Sequence, residues 1–333
     1  MADLLERAVQ AAEAACRVVP LLDGATVTPV AVSENVVFQA SCDGVPVAAL
    51  RVPRPGYRTV TELASELAWL AALDAAGVAA PRPIAQLHGP PGLVDTRDGP
   101  VVVVSWTAGE VGAGDSDDPA SFERLGEVAA QLQNHARRWR PPPWFRRWRW
   151  DAGALVGPHA HWGSYQLACA SSSERRLMDR AAERVASMLD AVDEMLLIHS
   201  DLRAANVVRT QSSALVPIDF DDAGFAHPMA DLAGALSFLE DAPHCEERAA
   251  AWIRGYGRRA RIEERWLARV WPLVVARRLA LTGWSASRVD SEVAGALGRS
   301  FVEGTLAVCD ALLAGRLKPL DVPASLESSE SAS

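Results

Sequence analysis

The chain has 333 residues, 49% hydrophobic and 23% charged, an ordinary balance for a folded globular protein with enough length for two lobes. Its formal net charge of -9 argues against a general nucleic-acid binder, because phosphate backbones are held by Lys and Arg. Lys318 is the only lysine, so the internal Lys that follows the glycines of a phosphate-binding P-loop is missing and that enzyme class is excluded.

The opening stretch MADLLERAVQAAEAAC alternates acidic and apolar residues as an amphipathic helix does, without the basic start and apolar centre of a signal peptide. No apolar run approaches the roughly 18 residues of a membrane span. The five cysteines are scattered, with no CxxC pair, so the expectation is a cytoplasmic protein with reduced thiols and no membrane partner. After Gly24 a Val-rich segment predicts a strand at 25–32 and two more joined by the Asp43-Gly44 turn, an antiparallel three-stranded start. Ser33, Glu34 and Asn35 fall at the turn between the first two. Arg51 sits inside the apolar strand VPVAALRV, with Arg54 and Arg58 in the loop beyond.

Thr59 and Glu62 form a capping-box pair at the head of a helix that carries Leu63, Leu67 and Leu70 on one stripe and stops at Gly77. Glu62 and Glu66 lie one turn apart on another side of it. A segment punctuated by Pro and Gly follows, and GPVVVVS then reads as a buried strand running into Trp106-Thr107-Ala108-Gly109, a hinge between lobes. This places the boundary near residue 106, with lobes at 1–105 and 106–324 and a low-complexity, disordered tail at 325–333.

Helical patterns dominate beyond Asp118, where Leu125, Val128 and Leu132 mark an apolar stripe. An insert then brings Trp139, Trp144, Trp148, Trp150 and Trp162 among six arginines between Arg137 and Arg149. It reads as a tryptophan-rich layer packed on the lobe with its arginines reaching outward. Its prolines and the acidic total of the chain oppose base stacking, so no nucleic-acid partner is expected. His159 and His161 lack a Cys or carboxylate partner at ligand spacing and read as structural. GYGRRA at 255–260 matches a dinucleotide fingerprint but ends a helix with no strand before it. Asp222, Glu240 and Asp241 are acidic residues that either face a cationic acceptor or belong to a solvated surface.

Residues 199–222 read HSDLRAANVVRTQSSALVPIDFDD, with Asp201 five positions before Asn206 and Asn206 thirteen before Asp219. Phosphoryl transfer needs a carboxylate to accept a hydroxyl proton and oxygen ligands to hold Mg2+ on a polyphosphate. The order and offsets match the kinase signature of a catalytic-loop Asp and Asn followed by a metal-binding Asp. Asp201 is therefore the expected proton acceptor, and Asn206 and Asp219 the expected magnesium ligands.

With HSDLRAAN, DFD and the run PIDFDDAGFAHPMADLAGAL, the chain resembles the aminoglycoside phosphotransferase and choline kinase group of small-molecule kinases. The WPLVVARRLALTGW helix is similar to the homoserine-kinase-like and stress-response-kinase branch. The resemblance implies an α+β, bilobal protein-kinase-like fold, with a small antiparallel-sheet N-lobe and a large helical C-lobe. It implies ATP or GTP as phosphoryl donor with Mg2+, and a small-molecule hydroxyl acceptor, either an antibiotic or a metabolite. It implies further that Ser33 and Asn35 cover the phosphates, that Arg51 takes the place of the usual Lys with Glu66 as its partner, and that Trp106 belongs to an adenine-binding hinge. Arg in place of Lys is a departure, although a guanidinium keeps its charge and grips phosphate oxygens bidentately. Two alternatives stand beside this reading. A Ser/Thr protein kinase is opposed by the short step from Asp219 to His227, and a non-catalytic nucleotide-binding module is motivated by Arg51.

Overall fold

The computed structural model describes residues 2–112, 118–189, 194–288 and 292–320; the expected tail at 325–333 lies outside them. In chain order the elements begin with α1 (Ala2–Cys16), β1 (Thr26–Val32), β2 (Asn35–Cys42), β3 (Val45–Pro53) and α2 (Val60–Ala75). There follow β4 (Leu93–Thr96), β5 (Gly99–Ser105), β6 (Glu110–Val111), α3 (Pro119–Arg138), α4 (Ala152–Val156) and α5 (Ser172–Leu189). Next come β7 (Leu196–Ile198), β8 (Val207–Arg209), β9 (Leu215–Pro217), β10 (Gly224–Ala226) and α6 (Ala230–Ala235). The chain closes with α7 (Cys245–Gly257), α8 (Glu264–Leu267), α9 (Val270–Ser287) and α10 (Glu292–Leu313).

The chain divides into two compact units. The first comprises Met1–Val111 with Arg138–Arg147 and Val208–Asp221, and the second Gly112–Arg137 with Trp148–Val207 and Asp222–Ser333. The sequence placed a boundary near residue 106; here the first unit runs on to Val111 because β6 pairs with β8, Glu110 opposite Arg209.

In the first unit a five-stranded antiparallel sheet runs in the order β1-β2-β3-β5-β4. The β2–β3 turn needs positive φ at both central residues, and Asp43 (φ 49) and Gly44 (φ 77) supply it. Small residues of α1, Ala8, Ala11, Ala12 and Ala15, let that helix lie close on Val36, Phe38, Leu50 and Val103 of the sheet. The capping box of α2 is formed as expected: Glu62 N donates to Thr59 Oγ1 at 3.2 Å and Thr59 N to Glu62 Oε2 at 2.9 Å. Trp69 of α2 meets Phe220 edge to face at 5.4 Å between ring centres.

In the second unit α9 is the central element. It is buried on every side from Val270 to Gly283, and α4, α5, α6 and α10 pack against it. The chain turns between Leu267 and Val270, which separates α8 from α9, and α10 carries a kink at Gly298. Helices α3 and α7 approach through glycine: a Cβ on Gly126 would lie 2.1 Å from the Trp252 carbonyl oxygen, and one on Gly255 1.7 Å from that of Glu123. The two-stranded sheet of β7 and β10, with Ile198 opposite Gly224, delivers the chain to His199. Among the described residues no helix is long and apolar enough to cross a membrane.

Candidate active site

The first unit gathers a charge cluster around the turn that follows β9. Arg51, buried on the face of β3 opposite Leu50 and Val52, reaches Glu66 of α2, with Nη2 to Oε2 at 2.5 Å. The same guanidinium lies 3.6 Å from Asp219 Oδ1 and 3.6 Å from Asp221 Oδ1. Asp221 in turn accepts from Asn35 Nδ2 at 3.1 Å and Arg58 Nε at 3.2 Å, while Arg58 Nη2 donates to its backbone carbonyl at 2.8 Å. Arg147 completes the cluster, donating to the carbonyls of Glu62 (3.0 Å), Phe220 (3.1 Å) and Asp221 and lying 3.8 Å from Glu66.

Burial opposes every charge in this cluster, and the partners decide the outcome. Burial pushes Asp221 up, but Arg51, Arg58 and Arg147, with the Asn35 hydrogen bond, hold it at about 2. Arg51 is likewise opposed by burial and is held well above its ordinary value by Glu66, then Asp221, then Asp219. Arg147 is pushed below its ordinary value, chiefly by burial and by its neighbour Arg58. Asp219 differs from the rest. Its side chain is 51% exposed and its backbone takes the left-handed region at φ 60, a conformation that Asp tolerates better than most residues.

The other sequence-predicted residues of this unit are placed as follows. Arg51 and Glu66 form the expected pair. Asn35 is buried and turned onto Asp221, whereas Ser33 is half-buried, its carbonyl accepting from Arg54 Nη2 at 3.2 Å. Trp106 donates its backbone N–H to Val47 O at 3.0 Å and is half-buried. The arginines of the tryptophan-rich insert were expected to reach outward, and Arg147 corrects this: its side chain is 2% exposed because three backbone carbonyls and Glu66 need its donors.

In the second unit the loop after β7 is built on Asp231 of α6. Ser200 stands at φ 68, strained for a non-glycine residue, and its N–H is held by Asp231 Oδ1 at 2.8 Å. Asp231 Oδ2 accepts from Gln133 Nε2 at 3.0 Å, and Tyr256 donates to Gln133 Oε1 at 2.8 Å. Burial pushes Asp231 above the usual carboxylate range, only partly offset by Gln133, His199 and the Ser200 N–H. His199 is fully buried, with Nδ1 accepting from Asp201 N at 3.4 Å.

Asp201 has both oxygens engaged. Asn206 Nδ2 donates to Oδ2 at 2.6 Å and to the Asp201 carbonyl at 2.9 Å, Arg203 Nε approaches Oδ2 at 3.4 Å, and Arg277 Nη2 donates to Oδ1. Burial pushes this carboxyl up, but Arg277, Arg203, His199 and Asn206 together hold it below the usual range. Glu240 and Asp241, read from the sequence as either acceptor-facing acids or a solvated surface, are tied to Arg278 at 2.6 and 3.0 Å.

A hard divalent cation suits the donor chemistry present. With its nitrogen spent on Asp201, the Asn206 amide leaves Oδ1 without a hydrogen-bond partner among the described residues. Asp219 offers the exposed carboxylate of its cluster, while Asp221 is saturated by Arg58 and Asn35. Among the described residues no group of three or more His, Cys, Asp or Glu could hold a metal by itself. The amide oxygen of the second unit and the carboxylate of the first are each of the oxygen-donor kind that Mg2+ accepts.

The sequence missed Arg147, Asp221, Asp231 and Arg277 and gave Arg58 only a minor place. The available signal was a pair of arginines, Arg277-Arg278, in an otherwise apolar helix: a buried cation must find partners.

Comparison with known proteins gives, among others, four matches. A model of a phosphotransferase enzyme family matches residues 26–270. The structure of a microcompartment-associated aminopropanol kinase is similar with a TM-score of 0.82 at 30% identity, covering 95% of this chain and 100% of that one. An amicoumacin kinase, solved with AMP-PNP, Ca2+ and Ami, shares the fold with a TM-score of 0.69 at 18% identity, covering 84% of this chain and 88% of that one. Among sequences, an uncharacterized protein of Deinococcus radiodurans is 28% identical over 262 residues, 76% of this chain and 75% of its own.

Proposed function

The chain belongs to the phosphotransferase enzyme family and is a small-molecule kinase with an alcohol acceptor, and from that premise we propose that it moves the γ-phosphoryl group of ATP or GTP onto a small hydroxyl compound through the residues described above. Asp201 orients the acceptor hydroxyl and takes its proton. Asn206, through Oδ1, and Asp219 are the magnesium ligands, and bound magnesium would neutralise charge on the phosphate oxygens. Arg51, braced by Glu66, steadies the triphosphate, and the turn at Ser33 and Asn35 lies over it. Trp106 belongs to the segment that receives the base. Positioning and charge neutralisation supply the rate, as expected for a transfer in which the protein itself has little covalent chemistry to do.

The observation that carries the reading is the arrangement of the Asn206 amide, nitrogen on the carboxylate of Asp201 at 2.6 Å and oxygen left for a cation. One residue thereby links a proton acceptor to a metal ligand. The likeness to an aminopropanol kinase at 30% identity supports amino alcohols as the first acceptors to try, ahead of antibiotics such as aminoglycosides.

An acceptor screen reading ADP release tests the activity, run with ATP and GTP and seeded with amino alcohols and aminoglycosides. Asp201→Ala is expected to lower turnover by about 10²-fold or more while nucleotide binding survives. Wild-type turnover in that variant would remove Asp201 from the role.

A further inference from the structure

Helix α9 buries two guanidiniums that the reaction itself does not require. Arg278 is accounted for inside the unit, held by Glu240, Asp241, Thr305 Oγ1 at 2.9 Å and the Phe301 carbonyl at 2.9 Å. Arg277 is spent differently. Its Nη1 donates to the Ser200 carbonyl at 2.6 Å, its Nε to Ser237 Oγ at 2.8 Å, and its Nη2 to Asp201 Oδ1. The plane of the guanidinium is set by Trp162, whose ring centre lies 4.9 Å from its carbon. The whole residue is 6% exposed.

We propose that Arg277 is a positioning residue for phosphoryl transfer, which fixes the orientation of the Asp201 carboxylate against the acceptor hydroxyl by holding Oδ1 and the Ser200 carbonyl together. The proposal rests on the reading of Asp201 as proton acceptor. The terminal torsion of an Asp side chain is broad and roughly two-fold, and Asn206 grips only one of the two oxygens. A second grip on Oδ1, itself braced by Ser237 and Trp162, removes the remaining rotation. The strained backbone at Ser200 is pinned at the same time, its N–H by Asp231 and its carbonyl by Arg277. A buried ion pair gives little net stability over an apolar substitute of like shape, whereas a displacement on the order of 1 Å at a reacting group costs about 10²-fold in rate. The geometry therefore points to orientation as what this guanidinium contributes.

The test uses the full chain with Mg-ATP, and reads ADP release with aminopropanol as acceptor probe and, independently of any acceptor, with water. Arg277→Ala is expected to lower kcat by about 10²-fold with the KM for ATP changed less than about threefold. Added guanidinium ion, which fits the space vacated beside Trp162, is expected to recover at least about tenfold of the loss, whereas a purely structural role would show no such recovery. Arg277→Lys should fall between, since an ammonium can reach Oδ1 but cannot serve Ser237 and Ser200 as well. A folded Arg277→Ala protein with kcat within about threefold of the parent, or a loss that guanidinium leaves untouched, overturns the proposal. Should Arg277→Ala fail to fold, Ser237→Ala deletes only one brace of the guanidinium; a drop of about three- to tenfold in kcat supports the proposal and an unchanged kcat overturns it. Asp201→Asn separates the two readings. If it is inactive while the Arg277 variants are active, the inference about Arg277 fails alone, and if it too is fully active the base assignment fails with it.

Discussion

In the first unit the guanidiniums of Arg51, Arg58 and Arg147 surround the carboxylates of Glu66, Asp219 and Asp221. In the second, the loop that carries Asp201 rests on a carboxylate, Asp231, whose hydrogen bonds come from neutral donors, Gln133 and the Ser200 N–H. Burial disfavours ionisation in both places, yet Asp221 is held at about 2 while Asp231 is pushed above the usual range. The first network is a balance of full charges and the second a chain of hydrogen bonds. Removing one member from the former leaves an uncompensated buried charge, while removing one from the latter leaves an unsatisfied polar group, which costs less.

The sharpest way to break the comparison is Asp221→Ala. It removes the carboxylate that Arg58 Nε and Asn35 Nδ2 share and leaves the three guanidiniums one buried negative charge short. A loss of about 3–5 kcal/mol in unfolding free energy is expected from urea titration. A loss below about 1 kcal/mol would show that the cluster is not an ion balance. Next in size is Arg51→Met, expected to lower kcat/KM for ATP by about 10²-fold, because the triphosphate loses its cation and Glu66 its partner at 2.5 Å. Arg51→Lys, read in the same assay, shows whether charge alone suffices or the planar fork is needed.

On the hydrogen-bonded side, Asp231→Asn keeps the shape but replaces one acceptor oxygen by a donor nitrogen, so either Ser200 N loses its partner or Gln133 Nε2 keeps only its bond to the Pro228 carbonyl at 2.9 Å. The expected cost is about 1–3 kcal/mol in stability. Urea titration of this variant beside Asp221→Ala checks the ranking, and an equal loss in both would erase the distinction drawn here.

What could be read from the chain divides along the same line. The motif of Asp201, Asn206 and Asp219 stood out because its spacing belongs to one loop and the strands behind it, whereas the Arg51–Glu66 ion pair was expected from the family resemblance, the helix period by itself setting Glu66 on a side away from the Leu stripe. The small antiparallel sheet was legible from Val-rich strands and the Asp43-Gly44 turn. Arg147 was not, since its partners Phe220 and Asp221 lie more than 70 residues away and an arginine-rich run looks solvated when read locally. The same distance hid Arg277, which meets Asp201 76 residues upstream. Asp231 was missed as well, because its work is to hold the backbone at Ser200, and no spacing rule encodes a bond to a strained N–H.

The smallest expected effect concerns His227, which lies in the second unit. Its Nδ1 accepts from Met229 N at 3.1 Å, its ring stands edge-on to Trp266, and the residue is buried. Burial, with Arg269 and Arg265 adding to it, lowers its pKa from 6.5 to about 4. A folded-state value below the unfolded one means that the unfolded chain binds the extra proton first. The stabilisation is therefore fully present above about pH 6.5 and is lost progressively as pH falls toward about 4. Between about pH 7 and about pH 5.5 this single group should remove about 1 kcal/mol of unfolding free energy. His227→Asn keeps an acceptor for Met229 N but does not titrate, so its stability should stay flatter than the parent's across that window by the same amount. Parallel curves for parent and variant would mean that His227 takes up its proton without cost in the fold; Asp231 could not stand in for it, because a carboxyl pushed above its usual range gains its proton in the folded state first and adds stability as pH falls.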